Sequence, residues 1–120
     1  MSNLAIMTRD AADGAIDRSH LTRMTFGDRS LEREVLQLFD RQAVMLIARI
    51  RASNPAAMAS LAHTLKGSAA GIGAERVASS ADEAENAAGR SPAECSQAID
   101  RLASAVDEAR ALIAELLREA

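Results

Sequence analysis

From Ile99 to Leu116 the apolar residues Ile99, Leu102, Val106, Ala109, Ile113 and Leu116 recur alternately three and four positions apart. That spacing lines one stripe of an α-helix but would be split between the two faces of a strand, so it admits helix and excludes sheet. The segment opens at Ser91-Pro92-Ala93-Glu94, an N-cap, a proline at the first helical position and a capping-box glutamate. Asn54-Pro55 is a second start of the same kind. It predicts a helix to about Ala70, after which Gly71-Ile72-Gly73 turns the chain. Ala74 to Ala88 then form a helix with a small-residue seam, Val77, Ala81, Ala84 and Ala88, and Gly89 suits the C′ position.

Upstream, Ser30 can cap a helix that carries Glu32 and Glu34 in its first turn, where acidic groups suit the macrodipole, and that runs to about Ala52. Its apolar residues form two stripes. One is Leu31, Val35, Leu38, Phe39, Met45 and Leu46, interrupted by Gln42; the other is Leu36, Phe39, Ala43, Ile47 and Ile50. Asp17 can cap a short helix holding Leu21 and Met24, which Gly27-Asp28 ends. Residues 1–14, with Leu4, Ile6, Met7 and the breaker Asp13-Gly14, read as a flexible N-terminal arm, and 15–120 as a single domain.

Composition agrees. Alanine fills 27 of the 120 positions, Phe occurs twice, and Trp and Tyr are absent, so the apolar material is helix-forming rather than strand-forming. The expected fold is all-α: an antiparallel up-and-down four-helix bundle with a short additional N-terminal helix. A net charge of −3 without a dense basic run argues against nucleic acid. Cys95 stands alone, which excludes an internal disulfide and a cysteine zinc cage and fits a reducing compartment. No stretch approaches the roughly 18 apolar residues of a membrane span. Met1 to Asp10 lack both a basic and a continuous apolar region, so no secretory signal is expected and the cytoplasm is the expected location. The two histidines lie far apart and there is no H-E-x-x-H, so no metal site is expected; Gly71-Ile72-Gly73 lacks the lysine and preceding strand of a phosphate loop, so no nucleotide is expected either.

One helix face is unusual. On a wheel of about 100° per residue centred on Met58, the residues Leu61, Ala62, Leu65, Ala69 and Ile72 face the core. His63 lies roughly 140° away, surrounded by Ala56, Ala59, Ser60, Gly67 and Ala70, with Lys66 on the flank. A solvated face would ordinarily carry Glu, Lys, Arg and Gln, and an interior glycine costs about 1 kcal/mol against alanine. A surface stripped of bulk around one imidazole lets another macromolecule's backbone come close. Neutral imidazole is a competent nucleophile, and a phosphoryl group on it would bring close to two negative charges. Lys66, one turn on, is placed to meet them.

The run Ala62-His63-Thr64-Leu65-Lys66-Gly67-Ser68-Ala69-Ala70-Gly71-Ile72-Gly73 resembles the signature of histidine-containing phosphotransfer (HPt) domains, the histidine intermediates of multi-step phosphorelays. Weaker similarity extends to Ile16-Asp17, Gly27-Asp28, Leu36 to Phe39 and the fourth helix. The resemblance implies that His63 accepts the phosphoryl group, Lys66 offsets its charge, and Glu85, on the fourth helix, orients the imidazole. Ala59, Ser60, Gly67 and Ala70 would form the docking face. The partners implied are receiver domains of response regulators, with a hybrid histidine kinase as a further candidate. It also implies no cofactor of the chain's own, Mg²⁺ being held by the receiver, and a phosphoryl carrier rather than an enzyme; four long helices closing one core imply a monomer. The competing reading from the residues is a structural helical interaction module. A third, the dimerisation region of a sensor kinase, is disfavoured because Thr64 stands where such segments usually place an acidic residue. His20 reads as surface, and Cys95 is given no role.

Overall fold

The computed structural model describes residues 14–119. The N-terminal arm read in the sequence lies, but for Gly14, outside them. Helix starts follow the short polar side chains that can take up free backbone N–H groups. Asp17 accepts from His20 N at the head of α1 (Arg18–Met24), and Asp28 from Leu31 N at the head of α2 (Arg29–Arg51). Asn54 caps α3 (Pro55–Ile72), and Ser91 caps α5 (Pro92–Arg118), each with proline next in the chain. Among the described helices only α4 (Glu75–Ala87) starts without a side-chain cap, at the fully buried Ala74.

Two boundaries differ from expectation. Ser30 lies inside α2, because Phe26 and Gly27 both take left-handed φ values (55° and 73°) and turn the chain so that Asp28 reaches the free N–H groups first. Helix α3 passes through Gly71 to Ile72, whose side chain is 4% exposed, and stops only at the left-handed Gly73. Burial of that isoleucine, a gain of about 1.5–3 kcal/mol, outweighs the propensity cost of one glycine.

Each long helix packs on its neighbours in the chain, and α5 closes the ring against α2, which gives the up-and-down bundle. The core is drawn from one stripe of each: Leu36, Phe39, Leu46 and Ile50 of α2, Met58, Leu65 and Ile72 of α3, Val77 of α4, and Leu102, Val106 and Ile113 of α5. Leu61 and Ile99 sit at its edge, half-buried. The two stripes of α2 part company here. Arg33 donates to Leu117 O, Asp40 accepts from Arg110, and Arg51 pairs with Asp100, so one flank of α2 is held against α5. With that flank against α5, Leu36, Phe39, Ala43 and Ile50 face inward, while Leu31, Leu38 and Met45 are exposed, Leu38 to 60%. Among the described residues there is no strand, and no helix is long and apolar enough to cross a membrane.

The short α1 lies across the C-terminal end of α3. Leu21 is fully buried, Asp17 N donates to Gly73 O at 2.8 Å, and the His20 Nε2 lies 3.1 Å from Gly71 O. His20 is therefore a half-buried tie between two helices rather than a free surface residue. A Cβ at Gly73 would come within 2.9 Å of Asp17 O, at a φ of 80° that L side chains avoid. Gly73→Ala is expected to destabilise the fold by at least about 1–2 kcal/mol, the left-handed penalty alone. Chemical denaturation checks this, with the midpoint moving down at constant m-value.

Candidate functional site

The outward face of α3 is bare in the structure as on the wheel. Ser60, Gly67 and Ala70 are exposed, Ala59 is half-buried, and the His63 side chain retains 66% of its accessible surface. A Cβ built at Gly67 would meet nothing within 4 Å. No internal packing demands glycine there. Beyond Ala70 the face descends into a shallow depression lined by His20, Arg23, Met24, Ala70 and Gly71.

Helix α4 supplies the other wall. Ala81 and Ala84 are fully buried, as are Ala62 and Ala69 of α3. Alanine on both sides lets helix axes approach to the short end of the usual 8–10 Å range. Polar side chains beside the seam can then meet across it. Glu85 reaches His63: its two carboxylate oxygens lie 3.1 and 3.3 Å from Nδ1. Lys66 Nζ donates to the same Glu85 carboxylate at 3.2 Å and to Asp82 Oδ1 at 3.0 Å. The structure thus joins His63, Glu85, Lys66 and Asp82 in one chain of contacts between α3 and α4.

Asp82 is the member that the sequence reading missed. It stands three residues before Glu85, which on a helix places both carboxylates on one face, and that spacing was the available signal.

The contacts fix chemistry. An ionised carboxylate only accepts hydrogen bonds, so the Glu85 contact requires the proton on Nδ1, and in the neutral ring this leaves the lone pair on Nε2. Among the described residues nothing bonds Nε2. The hydrogen bond from His63, aided by Lys66 and opposed by partial burial, holds the Glu85 carboxyl below its ordinary value of 4.5. Asp82 first, then Glu85, raise the Lys66 ammonium above its ordinary 10.5.

Because the folded carboxyl of Glu85 is the more acidic one, its contacts add stability that is present above pH 4.5 and lost as the pH falls through the folded value. A ¹³C NMR titration of the Glu85 carboxyl is expected to show a midpoint below 4.5 that moves upward in His63→Ala. In Glu85→Ala, ¹⁵N spectra are expected to show His63 without its preference for the Nδ1–H tautomer. An unchanged tautomer would mean that Glu85 does not orient the ring.

The model of the Hpt domain matches residues 33–118. The chain belongs to the Hpt domain family. Such domains carry phosphoryl groups on histidine within phosphorelays, as carriers rather than enzymes, and interact with receiver domains of two-component systems. The fold is also similar to a crystal structure from rice assigned provisionally to the histidine-containing phosphotransfer proteins. That likeness has a TM-score of 0.80 at 20% identity, over 96% of this chain and 88% of the rice chain. No curated protein sequence matches this Hpt domain closely enough to stand as a relative.

Proposed function

We propose that this Hpt domain is a phosphorelay carrier whose His63 takes a phosphoryl group from a receiver-domain phosphoaspartate and returns it to the aspartate of another receiver. The observation that carries this reading is the uncovered ring with its Nδ1 tied to Glu85. Nε2 attacks phosphorus with its lone pair; the Nε2–P bond forms as the bond from phosphorus to the aspartyl oxygen breaks, and the aspartate leaves as a carboxylate. No proton has to move, since Nε2 carries none. Positive charge develops on the ring during attack, and Glu85, accepting from Nδ1–H, stabilises it as the carboxylate of a catalytic triad stabilises an imidazolium. Lys66 offsets part of the negative charge of the transferring group. The receiver's Mg²⁺, when bound there, would neutralise much of the remainder. The chain needs no cofactor of its own in this scheme.

Ala59, Ser60, Gly67 and Ala70 form the docking face in this reading, and the exposed Leu31, Leu38 and Met45 extend it. At about 100° per residue these three fall on the flank of α2 turned away from α5, beside the outer face of α3. A receiver seated on His63 would cover them. The complex is read as one carrier monomer with one receiver, acting in the cytoplasm where such receivers reside.

Incubation with a receiver domain charged by acetyl phosphate tests the reading. It predicts transfer of phosphate to this chain as an acid-labile, base-stable adduct. A chain that stays unlabelled while the receiver remains phosphorylated would favour the structural interaction module instead.

A further inference from the structure

The cation beside His63 is already engaged. Lys66 is bonded by two carboxylates, at 3.0 Å from Asp82 and 3.2 Å from Glu85, and Glu85 is held in turn by the imidazole. With His63 neutral, the four side chains sum to one negative charge. A phosphoryl group on Nε2 adds close to two more. Lys66 is the ammonium at hand; two of its three N–H donors are engaged, so a phosphoryl group would take the third and share the cation with both carboxylates.

The two carboxylates differ in what holds them. Glu85 is 29% exposed and bridges both His63 and Lys66, whereas Asp82 is 52% exposed and has, besides Lys66, only a long 3.5 Å contact from Asn86 Nδ2. Asp82 is therefore the carboxylate whose hold on the ammonium weakens more easily in favour of the phosphoryl group. We propose that Asp82 is a positioning residue that competes with the phosphoryl group for Lys66 and thereby sets how readily His63 gives that group up. The inference rests on the phosphocarrier reading above and adds to it a control on the transfer equilibrium.

In chemical terms Asp82 acts on one side of the exchange only. The free carrier keeps the Lys66–Asp82 pair. In the phosphorylated carrier the pair is weakened as the phosphoryl group draws on the same ammonium, so the product is raised relative to the reactants and onward transfer to an aspartate is favoured. Exposed ion pairs are individually weak, so a shift in equilibrium of about three- to five-fold is the expected scale.

The test measures the equilibrium between an acetyl-phosphate-charged receiver domain and this protein, approached from both sides, with circular dichroism confirming each variant's fold. Asp82→Asn, which removes the charge at constant size, is expected to shift phosphate toward this chain by about three- to five-fold. Asp82→Glu is expected to stay near the wild-type ratio. In a Lys66→Met background the Asp82→Asn shift is expected to vanish, since the effect passes through the ammonium. An Asp82→Asn ratio equal to wild type would overturn the inference while leaving the carrier reading intact. An equal shift with and without Lys66 would overturn it as well. Failure of wild type to take up phosphate at all would sink both.

Discussion

His63→Gln is expected to abolish phosphate uptake completely while leaving the fold as it was. Glutamine approximates the reach of histidine and can still donate to Glu85, but its amide nitrogen has no basic lone pair with which to attack phosphorus. The side chain is 66% exposed and contributes nothing to the core, so the stability change is expected within about ±0.5 kcal/mol. Uptake from a charged receiver and a thermal melt, measured on the same preparation, check both halves. Retained uptake would place the acceptor elsewhere in the chain.

The second large effect is expected at Gly67, where stability and function should move in opposite directions. A Cβ there meets no neighbouring atom, so nothing in the bundle resists a larger residue. Gly67→Ala is expected to stabilise the protein by about 1 kcal/mol, the helix-propensity difference. Gly67→Leu should be about as stable as the alanine variant, yet it raises a branched side chain one turn from His63 on the face proposed to receive the partner. Displacing reacting groups by about 1 Å can cost on the order of 100-fold in rate, and a fall in the second-order rate constant for phosphate uptake of at least that order is expected. A leucine variant that transfers phosphate at the wild-type rate would show that the clearing on α3 is not where the receiver docks.

What was legible in the sequence was what local chemistry decides. Asn54-Pro55 and Ser91-Pro92 start their helices where they should, because an N-cap and an N1 proline act within a few residues of themselves. The inward set Met58, Ala62, Leu65, Ala69 and Ile72, and hence the outward place of His63, follow from helix periodicity alone. The features that escaped depend on neighbours distant in the chain. Whether Leu38 or Leu36 faces inward on α2 depends on which flank packs against α5, where Arg33, Asp40 and Arg51 make their contacts. The choice of Asp28 over Ser30 as cap hangs on the two left-handed residues before it. His20 became a tie only because α1 crosses α3 beside Gly71. The spacing of Asp82 from Glu85 put both on one face, but which carboxylates meet Lys66 depends on the axial register of α4 against α3, which local periodicity does not fix. The resemblance to Hpt domains pointed to Glu85 alone.

The acceptor atom can be observed directly. After incubation of ¹⁵N-histidine-labelled protein with a charged receiver, ¹H–¹⁵N spectra distinguish the two imidazoles, His20 and His63, and the two nitrogens of each ring. The account predicts a phosphorus-coupled Nε2 on His63, with His20 unchanged. Phosphate on His20, on Nδ1 of His63, or on no histidine at all would contradict it.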